Sequence, residues 1–180
     1  MVDTYTVNAF TRGGRGGNPA GVVLDAAALS ESQMQHIAAQ LGMSETAFVV
    51  PSSSCDLRVR FFTPNAEVRL CGHATIATWH LLLESGAWTA GHYSMETLAG
   101  PQSIDCDDSG LVTMSQNLPQ FGATIATEPI ASVLGIQPDD LLPEQQMPVQ
   151  IASTGLNKIF APIRSLEAIA RIQPDLAAID

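Results

Sequence analysis

Val68-Arg69-Leu70-Cys71-Gly72-His73-Ala74-Thr75-Ile76-Ala77-Thr78-Trp79-His80-Leu81-Leu82-Leu83 is the stretch on which the fold turns. A short β-compatible lead-in, Val68 to Leu70, runs into a segment with no full charge before Glu84. As a helix this segment is apolar on nearly every side, and such a helix is buried inside a fold rather than laid upon it. The pattern therefore predicts a central helix with the rest of the chain arranged around it. Gly72 and His73 fall where strand meets helix. The N–H groups of a first helical turn have no intrahelical acceptor and the positive end of the helix dipole lies behind them, so an anion such as a substrate carboxylate fits there.

Working outward towards the N-terminus, Val2 to Ala9 reads as a strand that runs into the glycine-rich loop Thr11 to Pro19, and Ala20 to Leu24 as a second strand. Ser30-Glu31-Ser32-Gln33 is a capping box, opening a helix with Met34, Ile37, Ala38 and Leu41 on one face. Gly42 ends it as a residue suited to the left-handed conformation. Thr46 to Val50 and Asp56 to Phe62 make a hairpin around Pro51-Ser52-Ser53-Ser54. On the other side of the central helix, strands at His92 to Thr97, Ser103 to Cys106 and Leu111 to Ser115 are separated by turns at Ala99-Gly100-Pro101 and Asp107-Asp108-Ser109-Gly110. The expectation is an α+β fold, a curved sheet around one helix.

Leu118-Pro119-Gln120-Phe121-Gly122 reads as a linker, and Thr127-Glu128-Pro129 as the cap of a short helix reaching Leu134-Gly135. Strands at Val149 to Ala152 and Lys158 to Ile163 flank the loop Ser153 to Asn157, and Ser165 caps a helix carrying Leu166, Ile169 and Ala170. That order repeats the order of residues 2 to 41. Residues 1–117 are thus expected to form a first lobe, and residues 118–180 a linker with the opening part of a second, incomplete pseudo-symmetric lobe.

Composition removes several function classes. The 180 residues are 46% hydrophobic, enough for a real core. A net charge of −10, from 18 acidic and 8 basic residues with no basic run, argues against nucleic-acid or anionic-membrane partners. The first residues lack the basic-then-apolar pattern of a signal peptide, and no apolar stretch approaches the ~20 residues of a membrane span, so a cytoplasmic location is expected. Cys55, Cys71 and Cys106 suit neither a disulfide framework nor a zinc site, and the four histidines are scattered, so no metal is expected. The glycines of residues 13 to 17 match no nucleotide-binding pattern.

Glu45 follows Gly42 by three residues and precedes an apolar strand. A carboxylate held in such a low-dielectric rim has its ionised form disfavoured, which moves its pKa towards the range useful for proton shuttling; an isolated Glu is otherwise a solvated loop residue. His73 is either a donor or acid/base group beside the anion site, or a histidine satisfying a backbone carbonyl. Cys71 is either a thiolate base activated by the helix N-terminus or a small buried hydrophobe. Asn18, beside Pro19, either lines a ligand with its amide or caps its own turn. His80, mid-helix among Trp79, Leu81 and Leu82, fits a core or interface role.

Taken together, Val7-Asn8-Ala9-Phe10-Thr11, Gly17-Asn18-Pro19-Ala20-Gly21-Val22, Ser44-Glu45-Thr46-Ala47-Phe48, Phe62-Thr63-Pro64 and Leu70-Cys71-Gly72-His73-Ala74-Thr75 resemble the PhzF-like (phenazine biosynthesis) isomerase family of the diaminopimelate-epimerase fold. Ser153-Thr154-Gly155 and Arg164 to Ala170 resemble the opening of that family's second lobe. The resemblance implies two pseudo-symmetric lobes with the active site in the cleft between them. It implies Glu45 as the general acid/base of a cofactor-independent hydrogen-shift isomerisation, with Asn18, Gly72 and His73 as substrate-binding residues. In the phenazine-pathway member the substrate is a dihydro-hydroxyanthranilate, so a small carboxylate-bearing molecule is the implied partner. Nothing after Ile163 resembles the family's acidic second-lobe loop of the Asp-Pro-Val-Thr-Gly type, which leads to the expectation of a truncated second lobe and of a homodimer or higher oligomer formed through residues 149 to 172. Two other functions stay open at this point: a cysteine-based amino-acid epimerase or racemase with Cys71 as one base, and a non-catalytic, self-associating remnant of the fold.

Overall fold

The computed structural model describes residues 2–178 and divides the chain into two compact units, Met1–Gln116 and Asn117–Asp180. In the first unit β1 (Tyr5–Ala9) and β2 (Asn18–Val23) form an antiparallel hairpin, followed by α1 (Glu31–Leu41), β3 (Thr46–Val50), β4 (Leu57–Phe62), the short β5 (Glu67–Val68), α2 (Gly72–Glu84), β6 (Gly91–Thr97), β7 (Gly100–Cys106) and β8 (Val112–Met114). The strands make one mixed sheet in the order β1-β2-β3-β4-β6-β7-β8, with β5 paired to β4. Two of its pairings, β2 with β3 and β4 with β6, are parallel. A parallel pair needs a crossover long enough to return the chain to the same end, and here α1 and α2 supply the two crossovers.

α2 lies against β1, β2, β3 and β8. Because β1 and β8 are the opposite ends of the sheet order, the sheet curls round the helix, as the apolar composition of residues 71 to 83 predicts. Ala74, Ala77, Trp79 and Leu82 are buried with Phe61, Met95 and Ile104 in the main core. Two polar residues inside it are satisfied locally: the Thr75 and Thr78 hydroxyls donate to the carbonyls of Cys71 and Ala74, each at 2.7 Å. Trp79 stacks on Tyr93 with ring centroids 5.0 Å apart, and Trp88 packs edge-on against both. One part of the expectation fails. The helix is not enclosed on every side, since Gly72 and His80 are exposed along one stripe; His80 belongs to that open stripe and not to the core.

Local signals fare well where a side chain makes the boundary. Ser30 and Gln33 complete the reciprocal capping box of α1, and Gly42 ends the helix at φ 62° with its N–H donating to the Ala38 carbonyl. The turn foreseen at Ala99-Gly100-Pro101 lies earlier, with Gly100 at φ 104° already in β7. Pro101 is accommodated there because β8 pairs only with Ile104 to Cys106, leaving the start of β7 without that neighbour. β1 begins at Tyr5 rather than Val2.

The second unit contains β9 (Gln120–Thr124), α3 (Thr127–Leu134), β10 (Gln150–Ser153), β11 (Asn157–Phe160) and α4 (Leu166–Ala170). The segment expected to be a linker contributes a strand: Gln120 and Phe121 pair with Ser153 and Ala152 of β10, making a three-stranded antiparallel sheet in the order β11-β10-β9. A backbone carrying donors and acceptors alongside β10 gains ladder hydrogen bonds, which the Pro-Gln-Phe-Gly composition had masked. The last strand is also shorter than expected, ending at Phe160, while Ile163 forms a separate bridge with Leu141. The core of this unit is Ala131, Ile136, Leu141 and Val149. Every residue of β9 and β11 is exposed, Phe121 at 69% and Phe160 at 59%. Among the described residues no helix is long and apolar enough to cross a membrane.

Candidate active site

Glu45 is placed by backbone, not by its own side chain. Gly42 halts α1, and the Gly21 N–H donates to the Glu45 carbonyl at 3.0 Å, fixing the residue at the start of β3 where the parallel register sets Gly21 against Thr46. Gly21 is required there by crowding: a Cβ would stand 2.5 Å from Thr46 Oγ1 and 2.9 Å from its Cγ2. From this position the carboxylate, with the Glu45 side chain 24% exposed, reaches the N-terminus of α2, where His73 Nε2 lies 3.5 Å from Glu45 Oε2. The His73 side chain is 11% exposed.

The start of α2 supplies the rest. Cys71 is extended, at φ −140° and ψ 115°, and is buried with 8% exposure. Its Sγ lies 3.2 Å from His73 Nδ1. Burial pushes the Cys71 thiol up to about 12, despite the Ala74 amide beside the sulfur, and the Glu45 charge adds to the rise. A helix N-terminus favours the thiolate, but desolvation and a carboxylate neighbour oppose it and outweigh it. Gly72 is exposed, and a Cβ there would meet only Met114 Cε, at 4.0 Å, so the start of α2 is open on that side, while the His73 and Ala74 amides turn to the Cys71 sulfur. A small anion can approach the helix start from its open side.

Ser44 was legible only as part of a motif, yet its Oγ stands 3.5 Å from His73 Nε2. Nothing but its adjacency to Glu45 could have signalled that role. Asn18 opens β2 at the same end of the sheet, opposite Ala9 in the β1–β2 hairpin, but three residues before Gly21, roughly 10 Å along an extended strand. The Glu45 oxygen, Cys71 sulfur and a His73 nitrogen lie within 4.8 Å of one another, which raises a metal as a possibility. The ring, however, turns Nδ1 to the sulfur and Nε2 to the carboxylate. A cation held by all three would use only one nitrogen of that ring, so one of these two contacts would have to open.

The PhzC-PhzF family model, described as phenazine biosynthesis-like protein, matches residues 7–180. The chain belongs to this PhzC-PhzF family. Among curated relatives, the uncharacterized isomerase YfhB of Bacillus subtilis is 41% identical over 172 residues, covering 93% of this chain and 58% of its own length. The uncharacterized isomerase YddE of Escherichia coli K12 is 39% identical over 184 residues, covering 97% of this chain and 60% of its own. The crystal structure of the Bacillus anthracis phenazine biosynthesis protein of the PhzF family superposes with a TM-score of 0.84 at 36% identity, over 97% of this chain and 60% of that one. A hydroxyproline epimerase from Agrobacterium vitis superposes with a TM-score of 0.57 at 16% identity, over 88% of this chain and 50% of that one, a likeness of fold alone. The PhzC-PhzF fold seen here is therefore the curled α+β half-barrel shared with such epimerases, and the chain spans about three fifths of the length of the relatives named.

Proposed function

We propose that this chain carries the proton-transfer half of a cofactor-independent PhzF-like isomerase acting on a small carboxylate-bearing substrate. The observation that carries it is the approach of Glu45 Oε2 to His73 Nε2 beside the open first turn of α2. The substrate carboxylate sits against the open side of the α2 start at Gly72 and His73, where the helix dipole favours negative charge. Glu45 takes a proton from a carbon next to the substrate's activating group, the electron pair of that C–H bond stays on the substrate, and the same carboxyl returns the proton at another carbon. No oxidation state changes, so no redox partner is required. Holding the anion fixes the reacting carbon relative to Glu45, and positioning of this kind supplies much of the barrier reduction. The relatives are longer, so the proposal is confined to the step these residues themselves perform.

Exchange of substrate C–H for deuterium in heavy water reads that step without requiring product. With a panel of cyclic and aromatic amino-acid carboxylates, deuterium uptake is expected for the wild type, and a loss of 10²-fold or more in Glu45→Gln. Uptake that survives Glu45→Gln and disappears in Cys71→Ala would restore the thiol epimerase in its place.

A further inference from the structure

The proton transfer assigned to Glu45 leaves Cys71 without a task, although its sulfur is buried and touches the imidazole that faces the carboxylate. A neutral imidazole carries one N–H, and the partner at each nitrogen decides where it sits. Nε2 faces two oxygens, Glu45 Oε2 and Ser44 Oγ, each at 3.5 Å. Nδ1 faces Cys71 Sγ alone among these groups, at 3.2 Å. Burial and the nearby carboxylate disfavour the thiolate, and a thiol at this position has two acceptors in reach, His73 Nδ1 at 3.2 Å and the Glu45 carboxylate.

We propose, resting on the reading of Glu45 as proton carrier, that Cys71 is a positioning residue: its S–H donates to His73 Nδ1, holds His73 as the Nε2–H tautomer and aims the ring's proton at Glu45. His73 then serves as a donor that orients the carboxylate, and of the three groups only Glu45 is left to accept a proton from carbon. Removal and return therefore use one carboxyl and occur on one face of the substrate. A thiolate and a carboxylate working as two bases would instead deliver the proton from a second direction.

Nitrogen-15 NMR of the full chain labelled at histidine tests this directly, with no substrate needed. Wild-type His73 is expected to show an unprotonated Nδ1, displaced by an accepted hydrogen bond, and a protonated Nε2. In Cys71→Ala the Nδ1 resonance should move to the position of a free acceptor, and Cys71→Ser should restore part of the displacement. The backbone amide spectrum of each variant reports whether it folds, and the wild-type spectrum decides even if Cys71→Ala does not. A wild-type Nδ1–H tautomer, protons on both ring nitrogens from a thiolate–imidazolium pair, or an Nδ1 resonance unmoved in a folded Cys71→Ala each overturns the proposal. Glu45→Gln with unchanged deuterium exchange would defeat the reading of Glu45 and leave this tautomer result standing, so the two failures are separable.

Discussion

At the scale of single residues, the site is governed by a competition that sequence shows only one side of. Cys71 precedes a helix N-terminus, which lowers a thiol's pKa, and from the sequence that influence is the visible one. Its burial and its distance from Glu45 belong to the folded chain, and they reverse the outcome. Glu45 and His73 could be named from residue type and position, but they lie 28 residues apart in sequence, and only the curl of the sheet brings them to 3.5 Å. The consequence for pH has a definite sign. With the ordinary thiol value at 9.0 and the folded value at about 12, the folded state holds a proton that the unfolded state has released. The stabilisation from Cys71 is complete below pH 9 and is lost as pH rises towards 12. Melting curves from pH 8 to 11 should therefore show a smaller alkaline decline in Cys71→Ala than in the wild type. An equal decline would mean that the thiol is not shielded. Iodoacetamide at neutral pH should likewise modify the partly exposed Cys55 well before Cys71.

At the scale of elements, the Glu45 carboxylate depends on a glycine in the neighbouring strand. Gly21 holds the Glu45 carbonyl through its N–H and has Thr46 and Leu41 pressed against its α-carbon. Gly21→Ala is expected to destabilise the chain by about 1–3 kcal/mol through overpacking. If it folds, it should also lower Glu45-dependent deuterium exchange; a variant with full stability would show that the β2–β3 contact relaxes freely. Ser30→Ala removes one half of the α1 capping box and should cost about 1 kcal/mol without touching exchange, since the cap lies at the far end of α1 from Glu45. These elements were legible because a side chain or a glycine marks each boundary. β9 was not, because Gln120-Phe121-Gly122 becomes a strand only through pairing with β10, a partner about 30 residues away in sequence. The open stripe of α2 was hidden for a related reason: an uncharged helix announces that it is apolar, and cannot announce which of its sides the sheet leaves uncovered.

At the scale of the whole molecule, the two units differ in how well they bury what they own. The first encloses Trp79, Phe61, Met95 and Ile104 completely, whereas the sheet of the second displays Phe121 and Phe160 on one face and Ile159 on the other. Apolar surface such as that of Phe121 and Phe160 associates in water. We expect light scattering to show concentration-dependent association of the chain, reduced by the paired substitutions Phe121→Lys and Phe160→Glu with the thermal transition of the first unit unchanged. A monomer at every concentration would show that these side chains are tolerated in solvent.

The curl of the first sheet also sets a schedule for synthesis. β1 and β8 both rest on α2, yet Tyr5 and Met114 are the outer limits of everything that encloses it. A ribosome working at about 5–20 residues per second needs a few seconds to move from Glu84, where α2 ends, to Met114. Throughout that interval the uncharged helix exists without its final wall, and hairpin-by-hairpin zippering cannot supply one because two pairings wait for crossovers. Until residue 114 has emerged, the nascent chain carries apolar helix surface that only β8 can cover.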